Sequence, residues 1–446
     1  MKSKNHNQRL SFEKSSKFER ELELLVPGGA HTYSKGRDQF PSPAPNGLTK
    51  ASGALVWDAD GNELIDWSMG LGSVSIGHAD SDVNSAVFEA ILTGVNSQRP
   101  FQIELEAAQL FCEKFETDMV KFARHGSSVT TAAIKLARAF TGKRKVVLPK
   151  EHPFFSFDDW FISTTEADFG IPSDVEQNAL PFSYNNIAQL ESIFERNSKD
   201  IACLIMEVVK FDAPNPGFLE RVRELCDEHG IVLIFDEMVS GLKFPGGAAS
   251  KYFGIEADLY TFGKGVANGF AFAALAGRRE LMELGGIAKP GARKLFMLSS
   301  THGGETVGLA AMIATLRKFH QGNLIQQNWT RGEDILHSLN EIISSYDLGG
   351  YVNIIGYPTL MAVEFKGPDT QPSPEFRTLF LQEMLAGGCL FQGLFMPTSS
   401  HTSALISKTL RAFDAACSVY RNALTFGSVE GFLDGPAVKP VFRRYV

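Results

Sequence analysis

Residues 231–269 read IVLIFDEMVSGLKFPGGAASKYFGIEADLYTFGKGVANG, and two side chains in them organise the rest of the chain. Asp236 ends an unbroken apolar run, Ile231 to Phe235. A run of branched residues without alternation suits a strand covered on both faces. An acid at its end falls at the carboxyl edge of a parallel sheet, where α/β proteins bind ligands. Lys264 follows a second short apolar run, Leu259 to Phe262, and sits between Gly263 and Gly265. Flanking glycines let backbone and ligand approach a lysine closely.

A partly neutral lysine amine attacks an aldehyde and forms a Schiff base. An ionised acid holds a pyridine nitrogen protonated. A Schiff-base lysine paired with an aspartate on the pyridinium nitrogen is the arrangement that pyridoxal phosphate requires. A lone Gly-Lys-Gly is weak evidence, because surface lysines sit in glycine turns too. The longer pattern is more specific. Phe235-Asp236-Glu237-Met238-Val239-Ser240-Gly241, then Gly254-Ile255-Glu256-Ala257-Asp258-Leu259 and Thr261-Phe262-Gly263-Lys264-Gly265, resembles the class III, fold-type I pyridoxal-phosphate aminotransferases. Within them it looks like the glutamate-1-semialdehyde 2,1-aminomutase-like branch. The 28-residue step from Asp236 to Lys264 fits that family. The resemblance runs from about Val26 to about Phe319.

Length and composition agree with such a reading. At 446 residues the chain exceeds the roughly 250–300 at which one core stops growing, so two domains are expected. A hydrophobic fraction of 44% and a charged fraction of 21% are ordinary for a globular protein. A net charge of −8 argues against a nucleic-acid partner. Five scattered cysteines without a CxxC pair suggest reduced thiols and a cytoplasmic location. No apolar run reaches about 18 residues, so no membrane span is expected. No cluster suggests a metal.

Strands alternate with helices from about 85 to 320, as a mostly parallel sheet covered by helices requires. The resemblance makes that sheet seven-stranded. It implies an N-terminal arm and part of a small domain in residues 1–80, a large cofactor-binding domain in 81–320, and the rest of a small α+β domain in 321–446. Leu55 to Trp67 reads as a hairpin around Asp60-Gly61.

Further site residues follow from the same order. Gly126-Ser127-Ser128 opens a helix, and a helix N-terminus with two hydroxyls favours a phosphate. The resemblance puts the cofactor phosphate there. It puts Glu207 near the cofactor hydroxyl and an aromatic ring on the pyridine after the strand Lys145 to Leu148. That last motif is altered here to Glu151-His152-Pro153-Phe154-Phe155, which leaves Phe154 or Phe155 to stack, with His152 as another ring neighbour. Thr301 matches a threonine that reaches the phosphate of a second subunit, which implies a homodimer with shared active sites. Lys35, Arg37 and Arg99 are candidates for a substrate anion. Lys35 stands where the aminomutase has arginine, and lysine lacks the bidentate fork.

These implications converge on an aminotransferase. Lys264 and Asp236 are its catalytic residues. The substrates are small molecules: an amino-acid donor, glutamate first, and an aldehyde or ketone acceptor such as a keto sugar. Glutamate-1-semialdehyde 2,1-aminomutase, an isomerase, is the alternative. A non-catalytic binding protein on the same scaffold is the remaining one, opposed by the presence of both Lys264 and Asp236.

Overall fold

The computed structural model describes residues 10–286 and 293–443. The chain divides into two compact units. One contains Gly72–Ser75 and Ser81–Gln326, closed by residues from Phe442. The other contains residues up to Leu71, Ile76–Asp80 and Gln327–Val441.

The first unit is built on a seven-stranded sheet. Its elements in chain order are α1 (Ser81–Thr93), α2 (Gln102–Phe115), β1 (Met119–Ala123), α3 (Gly126–Thr141), β2 (Lys145–Pro149) and β3 (Ala179–Phe182). There follow β4 (Ile201–Met206), α4 (Phe218–His229), β5 (Val232–Asp236), β6 (Leu259–Gly263), β7 (Ala273–Gly277) and α5 (Thr306–Gly322). The spatial order is β1-β7-β6-β5-β4-β2-β3, and only β7 runs antiparallel to its neighbours.

Every residue of β4 and β5 is buried, which is why both read as continuous apolar runs. On one face Val129, Ala133 and Ala137 of α3 pack with Leu148, Ile205, Ile234 and Leu275. On the other, Phe111 of α2 meets Phe262 edge-on at 5.5 Å and Phe122 at 6.0 Å. Alternating residues along β6 therefore serve both layers.

Strand β3 and the helix Ile187–Asn197 follow, two elements that the sequence reading did not assign. β3 is an edge strand of four residues with Pro181 in it, too short and too mixed to announce itself. The helix α3 begins at Gly126, four residues before the apolar spacing suggests, so Gly126, Ser127 and Ser128 form its first turn.

The second unit holds two small sheets and three long helices. The expected hairpin is present, with Leu55–Trp57 antiparallel to Glu63–Asp66. Asp58 closes its turn by accepting from the backbone of Asp60 and Asn62. Cys389–Leu390 adds a parallel strand beside Glu63–Asp66. Val352–Tyr357, unrecognised in the sequence, pairs with Leu360–Phe365. The core between Leu324–Ser345, Pro374–Ala386 and Ser403–Phe426 is aromatic-rich, with Phe380, Phe395, Phe413 and Tyr420 fully buried. His78, read as structural, holds Asp66 at 2.9 Å. Asp66 also caps the turn at Ser68 and Met69, where Met69 and Leu71 take φ of 45° and 59°. Two left-handed non-glycine residues so close together are costly, about 1–2 kcal/mol each.

Candidate active site

The carboxyl ends of β4, β5 and β6 lie side by side, and each carries an ionisable group just at or beyond its last residue. β4 and β5 are in register at Met206 and Phe235, so Glu207 and Asp236 are neighbours. β5 and β6 are in register at Asp236 and Thr261, and Lys264 follows β6 directly. The strand order of the fold thus collects residues that the sequence spreads over 58 positions.

Asp236 is buried. One carboxylate oxygen accepts from the Met238 backbone N–H and from the Thr261 hydroxyl, both at 2.9 Å. Burial first, and the Glu207 charge second, push its carboxyl up to about 7. Lys264 is half-buried, with a left-handed backbone at φ 46°. Burial, then the nearby Lys210 cation, push its amine down to about 8, against the pull of Glu207 and Asp236. A non-glycine residue held at positive φ between two glycines marks strain of the kind that collects at functional sites.

Glu207 is held from two sides. Lys210 Nζ contacts both of its carboxylate oxygens at 3.1 Å. Its backbone N–H donates to His152 Nδ1 at 3.1 Å. The acceptor role fixes that nitrogen as unprotonated, and burial pushes the ring down to about 4. His152 is therefore neutral and lies beside Glu207.

The two phenylalanines sit in different surroundings. Phe155 is 2% exposed and packs edge-on against Phe161 at 5.7 Å, within the apolar core. Phe154 is 47% exposed and lies parallel to Phe442 at 6.4 Å. Of the three rings, only His152 touches Glu207.

Gly126, Ser127 and Ser128 present the free N–H groups of the first turn of α3. Ser127 Oγ accepts from the Phe157 backbone at 3.1 Å and keeps its own proton to donate. Ser128 Oγ pairs with His125 Nδ1 at 3.1 Å. Met238 connects this turn to the lysine loop. A Cβ on Gly126 would come within 2.9 Å of Met238 Cε, and one on Gly263 would overlap Met238 Sδ.

Thr301 lies in the loop before α5, and its carbonyl accepts from Asn96 Nδ2 at 3.1 Å. Arg99 is exposed on the α1–α2 loop. Lys35 and Arg37 belong to the second unit; both are exposed, and Arg37 pairs with Glu23 at 3.3 Å. A cleft of about 530 Å³ lined by Ser163, Thr165, Asp168 and Gln177 involves none of these residues.

Residues 39–415 match the family model for class-III aminotransferases. The chain belongs to that family. A 3-aminobutyryl-CoA aminotransferase of Cloacimonas acidaminovorans is 30% identical over 396 residues, covering 86% of this chain and 91% of the relative. A glutamate-1-semialdehyde 2,1-aminomutase of Caldicellulosiruptor saccharolyticus is 28% identical over 411 residues, covering 89% and 94%. A solved transaminase with PLP bound superposes with a TM-score of 0.84 at 23% identity, covering 94% of this chain and 99% of that one. The fold is that of the fold-type I transferases.

Four residues that the structure sets beside the predicted ones were not singled out by the sequence reading: Thr261, Met238, Lys210 and Lys243. Lys243 is buried, donates to the Gly72 carbonyl at 3.3 Å, and is pushed down to about 8 by burial and by Lys264. A lysine seven residues past an aspartate, or three past a glutamate, carries no signal that separates it from a surface lysine. Thr261 sits inside the quoted motif, and its alternation with Phe262 was the available clue.

Among the described residues no group of acids, histidines and cysteines suits a metal ion, and no helix is long and apolar enough to cross a membrane.

Proposed function

We propose that this class-III aminotransferase uses pyridoxal phosphate to move an amino group from an amino-acid donor, glutamate first, to an aldehyde or ketone acceptor. A keto- or aldehyde-bearing sugar is the acceptor class we favour, from the altered residues around the substrate loops. The observation that carries the reading is the pair at adjacent strand ends, buried Asp236 and half-buried Lys264.

The residues fit the cofactor at both ends. Asp236 is a buried carboxyl raised by burial and by Glu207, and it lacks an ion-pair partner as close as Glu207 has in Lys210. A protonated ring nitrogen supplies that missing cation. At the other end, the first turn of α3 offers N–H groups and the Ser127 hydroxyl to a phosphate. When bound, the cofactor supplies an aldehyde carbon and an electron-withdrawing ring.

This chain's own groups do the remaining work. Asp236 holds the ring nitrogen protonated through an ionic hydrogen bond. Lys264 Nζ, neutral in the pH range just above 8, would hold the cofactor through its aldehyde carbon, the aldehyde oxygen leaving as water. With an amino donor bound in its place, Lys264 Nζ would be free to take the proton from the donor carbon as general base and to deliver it to the cofactor's former aldehyde carbon as general acid. Glu207 and neutral His152, in contact with each other, would serve the hydroxyl edge of the ring. Lys35, Arg37 and Arg99 remain the candidates for a substrate anion.

A shared site in a homodimer completes the reading, with Thr301 of one copy serving the other. Phe88, Ile91 and Leu92 on one face of α1, with Leu105 of α2, are at least half exposed. They lie on the elements whose connecting loop holds Thr301 through Asn96. An apolar strip of that kind suits burial against a second copy.

Aminomutase activity is the second reading, favoured by the relatives of that name at 28% and 30% identity. Single-turnover spectroscopy separates the two. Purified protein carrying the cofactor is mixed with glutamate, then with carbonyl acceptors. Loss of the visible band with glutamate, and its return with an acceptor, supports a two-substrate aminotransferase. Silence towards glutamate with turnover of glutamate-1-semialdehyde alone makes it an aminomutase.

A further inference from the structure

Glu207 and Asp236 are two carboxylates at neighbouring strand ends, both within about 5% of full burial. Like charges so placed cannot both ionise without cations beside them. Two are at hand. Lys264 follows β6, and Lys210 stands three residues beyond Glu207. Lys210 binds Glu207 through both oxygens at 3.1 Å, with its side chain one-fifth exposed and its ammonium 5.9 Å from the Phe211 ring centroid. It is therefore held in place and aimed into the site from β4.

We propose that Lys210, with Glu207, is a positioning pair that sets how readily the Lys264 amine loses its proton. This rests on the reading of Lys264 as the reactive amine. The cation repels a proton on Lys264, and the carboxylate attracts one. Pairing them nearly cancels the two, so burial decides the outcome and the amine is released at mild pH. The other charged groups facing Lys264 are Asp236 from β5 and Lys243 from the loop after β5, while His152, from the loop after β2, packs on Glu207. Asp236 attracts the proton, Lys243 repels it, and His152 is neutral across the window. Glu207 also raises the Asp236 carboxyl, so the Lys264 midpoint is read above pH 7, where Asp236 is ionised with or without that charge.

The pair predicts shifts of opposite sign. Lys210→Met deletes the repelling cation and unmasks the carboxylate, so the Lys264 midpoint rises. Glu207→Gln deletes the attracting anion and unmasks the cation, so it falls. Lys210→Arg keeps the charge and leaves the midpoint near wild type. Each charge change moves it by about one pH unit, the size expected of a charge at this range.

The test is competitive acylation of the cofactor-free protein from pH 6 to 11, with Lys264 and Lys243 read separately by peptide mass spectrometry. Circular dichroism checks that each variant is folded. A rise in Lys210→Met, a fall in Glu207→Gln and no change in Lys210→Arg support the pair. Movement of both charge variants in one direction, or of neither, overturns it. Should Lys210→Met fail to fold, the sign in Glu207→Gln alone decides. Acylation needs no cofactor, so this result stands apart from whether Lys264 is the cofactor lysine. Loss of the visible band in Lys264→Ala tests that separately.

Discussion

At the scale of single residues, the site works by burial. Lys264 in water would be almost fully protonated at neutral pH; pushed down to about 8, an appreciable fraction is neutral. The rate at which cofactor-free protein takes up pyridoxal phosphate should rise with pH and level off above about 8, followed by the growth of visible absorbance. Asp236 behaves oppositely. Its carboxyl, ordinarily near 3.8, is raised to about 7, so between those values the folded state holds a proton that the unfolded state has lost. Cofactor-free protein should then lose stability as pH climbs through that window and lose no more from this group above it. Asp236→Asn should flatten the slope, leaving the variant more stable than wild type at pH 8 by on the order of 2–4 kcal/mol. Thermal unfolding of both proteins from pH 4 to 8 checks this. With cofactor bound, the same substitution should lower turnover by about 10²–10³-fold, through loss of the charge that holds the ring nitrogen.

At the scale of elements, β6 and the first turn of α3 depend on how closely backbones approach. Gly263 has an extended φ of 176°, which any residue tolerates, so its need for glycine is one of space. A Cβ there would overlap Met238 Sδ and come within 3.0 Å of the Phe272 carbonyl oxygen. Gly263→Ala should cost about 1–3 kcal/mol, the usual size of core overpacking. The cost should shrink in a Met238→Ala background, leaving only the Phe272 contact, and a double-mutant cycle by chemical denaturation measures the difference. The α3 turn matters for another reason. Its N–H groups and the dipole favour an anion, and Ser127 is also tied to the Phe157 backbone. Ser127→Ala should weaken cofactor affinity while removing one hydrogen-bond acceptor from a backbone N–H, visible as a raised Kd and a slightly lowered Tm.

At the scale of the whole molecule, the proposal that Thr301 acts across a dimer ties assembly to the site. Leu92→Asp on α1 places a charge in the exposed apolar strip, 66% accessible in the single chain. The protein should shift from dimer to monomer by light scattering and lose cofactor affinity with it. Retention of full cofactor affinity by a monomer would remove Thr301 from the site.

Much of this was written in local patterns. The buried runs 201–206 and 231–235, the helices 218–229, 324–345 and 374–386, and the hairpin around Asp60 all follow from period and turn chemistry, because each is settled by neighbours within a few residues. Asp236 and Lys264 stood out because function places unusual residues at the ends of regular elements. Strands 179–182 and 352–357 did not stand out, since one is a short edge with a proline and the other is only partly buried. The ring after β2 was legible only as a choice among three. Packing distinguishes them, by burying Phe155 against Phe161 and setting His152 on Glu207. Lys210, Lys243 and Thr261 belong to the same class. Sequence alone determines which residues have chemistry to offer and which segments hide from water. The strand order decides which of those residues meet, because charges interact through space and at short range, and β4, β5 and β6 become neighbours only once the sheet has formed.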